Sequence, residues 1–143
     1  MSQRPVYELI GYQINNIKYS RTELGIPLKF KLSIKESKFD NEKMLAFIFP
    51  VLEIQFRNSD PSIFEFSAIF KINDTEWKQS ISTIQMNAIF ISSVFPYIRS
   101  FVHHITDDVR GSINLPTIDL RMANFESGIV FEPNSKAQNN LKN

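Results

Sequence analysis

The chain has 143 residues, 43% of them hydrophobic, with 13 Phe, no Cys and a net charge of +1. Such a length fits one domain, and so apolar a composition excludes a wholly disordered chain. The missing Cys excludes disulfides, thiolate metal sites and a Cys nucleophile, and no clustered run of Lys and Arg marks a dedicated nucleic-acid surface. No stretch reaches the ~20 apolar residues of a membrane span. The opening MSQRPVYELIGY lacks the apolar run of a signal peptide, so the expectation is a soluble protein of the cytoplasm. A domain of this size buries only about two-thirds of its surface. The default place for the Phe residues is the core, but a chain so rich in them is expected to keep some apolar area for a partner or for its own copies.

Residues 1–9 read as an arm or a first short strand. A strand from about Ile10 to Ser20 follows; a bulge at Asn15–Asn16 reconciles Tyr12 and Ile14 with Ile17 and Tyr19, which have the opposite parity. Gly25 and Pro27 break the chain before the clearest strand. There Leu28, Phe30, Leu32 and Ile34 alternate with Lys29, Lys31, Ser33 and Lys35, so the lysines form a wet face. A polar turn over Ser37–Lys43 leads to Met44–Phe56. Apart from Pro50, the even positions of that segment are apolar throughout; the odd positions Leu45, Phe47, Phe49 and Val51 are apolar too, before Glu53 and Gln55. Pro50 cannot donate to a ladder and implies an edge or a bulge. Arg57–Ser62, with Asn58, Asp60 and Pro61, forms a hairpin turn. A fourth strand has Phe64, Phe66, Ala68, Phe70 and Ile72 on one side, and only Ile69 interrupts its polar side.

Glu76–Ser93 is ambiguous: Ile84, Ala88 and Ile91 keep a helical spacing among β-branched and Ser residues that oppose it. The strongest helical pattern is 94–110, where Val94, Ile98, Phe101, Ile105 and Val109 share one face. Ser92 or Ser93 caps this helix, Pro96 lies in its first turn, Arg110 suits its C-terminal end and Gly111 closes it. Beyond it, Ile118, Leu120 and Met122 alternate with Asp119 and Arg121 as in a docked extended segment, with Leu115 and Phe125 on the other parity. Ile129 to Phe131 can add a short strand. The domain is expected to span 1–132, with 133–143 a disordered polar tail.

Four strands and then a helix make an α+β fold: a four-stranded antiparallel sheet with a main C-terminal helix packed on one face. One helix covers one face. Strand 44–51 is apolar on both, so its second face is expected to serve an oligomer interface or a binding surface.

Signs of catalysis are few. The four Gly build no phosphate-binding loop, and there is no GxSxG. His103 and His104 are i, i+4 from Asp107 and Asp108, but a pair supplies two ligands where a structural zinc needs four. A polar helix face is the simpler reading, and no catalytic residue, metal or cofactor is expected. Arg99 either lays its stem on the sheet or contacts an anion or partner, the first being preferred.

The run Phe95-Pro96-Tyr97 with Arg99, then Gly111, Pro116, Ile118, Leu120 and Asn124-Phe125, resembles the SecB family of protein-export chaperones. In that family an FPYxR helix start leads through a glycine to a P-x-L-x-L-x-P-x-N-F segment. The order of elements extends the resemblance over about 110 residues, the motif over about 30. The link from Gly111 to Pro116 is two residues longer than is usual there, and Met122 stands in place of a Pro. The resemblance implies an ATP-independent holdase without a cofactor, assembled as a dimer of dimers and binding unfolded polypeptide clients along hydrophobic grooves. Phe30, Phe47, Phe49, Phe64 and Phe66 are the strand candidates for client binding. Acidic sheet residues of the family dock the translocase motor SecA; a pI near 8.0 and the lysines of the second strand argue against that partner here. SecB-like proteins also serve toxin–antitoxin systems, a role that suits a non-acidic chain. An oligomeric adaptor for one folded partner is the alternative outside the family.

Overall fold

A computed structural model describes residues 4–21, 26–57, 59–121 and 123–133. Gly25, Asn58, Met122 and the tail from 134 onward lie outside the described residues. The elements are β1 (Tyr7–Lys18), β2 (Pro27–Asp40), β3 (Leu45–Phe56), β4 (Ser62–Ile72), α1 (Thr75–Ser80), α2 (Thr83–Ile105) and β5 (Ile129–Phe131). The strands form one antiparallel sheet in the order β1-β4-β3-β2-β5.

The four long strands are therefore joined by a fifth, and the short segment expected at Ile129–Phe131 pairs with β2. β3 and β4 alternate strictly between buried and half-buried residues. Successive strand side chains point to opposite faces, so the even positions make one continuous apolar layer. Phe30, Leu32, Leu52, Ile54, Phe64 and Phe70 are completely inaccessible there. α2 lies over this layer and presents Ala88, Ile91, Phe95, Ile98 and Val102, at steps of three and four. Phe70 stacks on Phe90 of the helix with ring centroids 4.2 Å apart, an aromatic contact that adds about 0.5–1.5 kcal/mol to simple area burial.

The helix differs from the expected span 94–110 at both ends. It starts at Thr83 because Ser82 and Gln85 form a capping box: the Ser82 hydroxyl accepts from the Gln85 N–H at 3.1 Å, and the Ser82 N–H donates to Gln85 Oε1 at 3.0 Å. That cap outweighs the weak helix propensity of 83–93, so Ser92 and Ser93 lie inside the helix. Pro96 sits mid-helix rather than in a first turn, and its missing N–H removes one rung to Ser92. The helix stops at Ile105 because the buried Thr106 turns the chain. Its hydroxyl donates to Val102 O at 2.6 Å and accepts from the Ile113 N–H at 2.8 Å. Val109 is consequently fully exposed instead of completing the buried stripe. Gly111 takes a positive φ of 86°, in the loop beyond the helix and not at its cap. The short helix α1, capped by Asp74, has no counterpart in the sequence expectation.

β1 starts at Tyr7 and carries two register shifts, one between Leu9 and Gly11 and one between Ile14 and Asn16; the second is the bulge that its parity change requires. Pro50 marks no edge, since β3 lies between β4 and β2. It pairs with Ile34, and β2 shifts register directly after that point, between Ile34 and Ser37. The bulge thus sits in the partner strand, where the absent Pro N–H leaves the ladder open.

Candidate functional site

Among the described residues no element covers the second face of the sheet. The odd positions of β3 lie there, and Leu45, Phe47, Phe49 and Val51 are each only half-buried. The register sets Phe47 against Ile69 of β4 and Lys38 of β2, while Ile69 faces Gly11 of β1. Phe47, Phe49, Ile69 and Gly11, with Tyr12, Gln13 and Ser67, line a cleft of about 380 Å³. Gly11 is its floor: a Cβ built at that position would meet nothing within 4 Å. The β1 bulge beside Gly11 and the absent side chain together open the cleft.

Polar groups frame the strip without closing it. Lys38 Nζ lies 5.8 Å from the Phe49 ring centroid, close enough for a cation–π contact. Glu65 accepts from Asn16 Nδ2 at 3.0 Å and pairs with Lys35 at 3.3 Å. The Asn16 hydrogen bond, with Lys35 second, holds the Glu65 carboxyl below its ordinary value. At the sheet edge Tyr12 and Tyr97 of α2 approach to 4.8 Å between ring centroids. With Ile14 and Ile17 they leave an apolar ridge along β1, an edge strand.

A second cleft, of about 320 Å³, opens where α2 meets the segment after it; Pro96, Arg99, Ser100, His103, His104, Asn114 and Leu115 line it. The His104 Nδ1–H donates to Ser100 O at 2.7 Å, and His103 Nδ1 bonds Asn114 Oδ1 at 2.5 Å. Asp107 and Asp108 lie past the helix end, so they do not continue the helical face of His103 and His104. Asp108 instead accepts from Arg110, which holds its carboxyl down at about 2. Among the described residues no group of three or more His, Cys, Asp or Glu is placed to hold a metal. Arg99, half-buried, lines this cleft.

The five strand Phe candidates separate by face. Phe47 and Phe49 lie on the open strip. Phe30, Phe64 and Phe66 are 0%, 0% and 2% exposed, locked beneath α2. The expectation that these three face a groove is therefore corrected: their parity points them to the covered face. The site residues that strand reading missed are Gly11, Tyr12 and Ile69. Ile69 carried a signal, as the only apolar residue interrupting the polar side of β4 in its middle. Gly11 had none, because its place beside Ile69 depends on the β1 register.

The motif residues hold the layers together. Phe95, Leu120 and Phe125 are buried, and Ile118 and Pro116 half-buried. Asn124 Oδ1 accepts from the Glu126 N–H at 2.9 Å and shapes the turn into β5. Pro96 and Tyr97 are exposed, Tyr97 at the sheet edge against Tyr12.

No protein-family model and no curated protein matches the chain. A search of solved structures does find relatives in shape. One is the SecB-like chaperone Rv1957 of Mycobacterium tuberculosis, solved in complex with a ChAD peptide from the Rv1956 HigA1 antitoxin. The likeness covers 70% of this chain and 80% of that chain, with a TM-score of 0.51 and 15% sequence identity. The fold is therefore SecB-like: an antiparallel sheet under a long helix that follows it in the chain.

Proposed function

We propose that this protein is a molecular chaperone of the holdase type, which binds non-native polypeptide segments and keeps them from aggregating. The observation that supports this reading is the uncovered apolar strip Leu45–Phe47–Phe49–Val51 with Ile69, on a fold shared with a chaperone solved with a bound peptide. An extended client segment laid along it gains about 25 cal/mol for each Å² of apolar surface removed from water, whatever its sequence. Such capture is a binding equilibrium and needs no nucleotide. The exposed edge of β1, with its Tyr12–Tyr97 ridge, is the surface for assembly with further copies into a dimer of dimers. The antitoxin peptide on the structural neighbour favours a dedicated antitoxin client over general export precursors, in a chain acting in the cytoplasm.

Light scattering from a chemically denatured test protein is the direct test. The chain at stoichiometric ratio suppresses aggregation without ATP, and the double substitution Phe47→Ser, Phe49→Ser abolishes most of that effect while the fold persists. Full aggregation in the presence of the unsubstituted protein would overturn the reading.

A further inference from the structure

The open face of the sheet changes character along its length. Its apolar strip on β3 ends at Val51, and beyond that point the register brings charged residues onto the same face. One row crosses the whole sheet. Lys18 of β1 faces Ile63 of β4, Ile63 faces Glu53 of β3, Glu53 faces Lys31 of β2, and Lys31 faces Val130 of β5. Lys29, two positions from Lys31, faces Gln55. Side chains two apart on a strand share a face, so Lys29 and Lys31 stand together on the open one, about 7 Å apart.

The carboxylates at this end are already engaged. Glu65 holds Lys35 and Asn16, and Glu53 accepts from Gln55 Nε2 at 2.8 Å. Lys18, Lys29 and Lys31 are exposed, and among the described residues none of them forms an ion pair. The face therefore has an apolar half, around Phe47 and Phe49, and a cationic half with unpaired ammonium groups.

We infer that the open face selects client segments in which an apolar stretch adjoins an acidic one, with carboxylates on alternate residues. This rests on the chaperone reading of the face and gives that reading a substrate class. Phe47 and Phe49 are two positions apart, as are Lys29 and Lys31. An extended segment has the same period, so it sets alternate apolar side chains on the first pair and alternate carboxylates on the second. From Phe49 to Glu53, at the level of Lys31, is four residues of strand, or about 13 Å. The apolar half binds through area removed from water and is indifferent to sequence. The lysines supply the discrimination: they attract an acidic flank and oppose a basic one. A nucleic acid fits less well. Glu53 lies between Lys18 and Lys31 in the row, so an evenly charged phosphate chain crossing it passes over a carboxylate, whereas a peptide places its few carboxylates on the lysines one by one.

The test uses three fluorescein-labelled peptides with one common apolar half and a flank of Glu-Ser-Glu, Gln-Ser-Gln or Lys-Ser-Lys, titrated with the full chain and followed by anisotropy. At low salt the acidic peptide should bind about tenfold more tightly than the neutral one, and the basic peptide more weakly than either; at about 1 M salt, where the Debye length is about 3 Å, the three should converge. Lys29→Glu with Lys31→Glu should reverse the order and leave the neutral peptide's affinity unchanged. Circular dichroism checks the fold of that variant; if it is lost, Lys29→Gln with Lys31→Gln decides, and should narrow the gap between acidic and neutral peptides. Equal binding of the three peptides at low salt would overturn the inference, as would an order that neither pair of substitutions moves. Tighter capture of a labelled oligothymidylate than of the acidic peptide would reassign the lysines to phosphate and overturn it too. Aggregation assays keep the two readings apart: suppression without charge preference removes the selectivity and leaves the holdase, whereas no peptide binding and no suppression removes both.

Discussion

The two faces of β3 are built from one segment and have opposite fates. On the covered face Ala46, Ile48, Leu52, Ile54 and Phe56 are buried under α2; on the open face Leu45, Phe47, Phe49 and Val51 remain half-exposed. The side chains are similar in kind, and what differs is the layer above them. One apolar face packs under α2, and among the described residues the second is left without a covering element. A strand buried on both faces would read the same over its first half.

The largest effect that separates the faces is a truncation on the covered side. Phe70→Ala removes the ring stacked on Phe90 and should destabilise the fold by about 3–5 kcal/mol, read from urea unfolding. The matching change on the open side, Phe49→Ser, should alter stability by less than about 1 kcal/mol while lowering client retention severalfold in the aggregation assay. Equal losses of stability from both would show that the open face is covered after all. The covering layer has its own weak point: Ser82→Ala removes the capping box of α2 and should cost about 1 kcal/mol in thermal or chemical unfolding, with the sheet register unchanged.

The smallest effect lies away from both faces, at the turn after α2. Asp108 is held down at about 2 from an ordinary value of 3.8 by hydrogen bonds from Arg110. Its contribution is present above the unfolded value and is lost as the pH falls through the folded one, so the melting temperature should fall between about pH 4 and pH 2. Asp108→Asn should flatten part of that fall by lowering the neutral-pH melting temperature slightly, the two chains converging near pH 2. A profile identical to that of the unsubstituted chain would remove Asp108 from acid sensitivity.

Much of the sheet was legible from alternation. Phe30 and Leu32, and then Phe64 through Ile72, announced buried faces because a half-buried strand has a period of two. The change of parity in β1 announced the bulge near Asn15. The helix was less legible. Its C-terminal half has a clean apolar stripe, but its first eleven residues are β-branched and Ser-rich, and their helicity rests on a capping box and on packing over the sheet. At the other end, periodicity carried the helix on to Val109, whereas the buried hydroxyl of Thr106 stops it at Ile105.

For the site, the sequence showed that Phe47 and Phe49 share a strand apolar on both sides. It could not say which face α2 would take, and so it grouped Phe30, Phe64 and Phe66 with them. Local pattern determined the strands, their apolar faces and the motif run from Phe95 to Phe125, because strand and helix periods are short-range properties of the chain. Only the tertiary structure decided which face stayed open, that Gly11, Ile69 and Phe47 lie side by side across three strands, and that Ile129–Phe131 pairs with the edge of β2. Those outcomes depend on register and on long-range pairing between segments far apart in the chain.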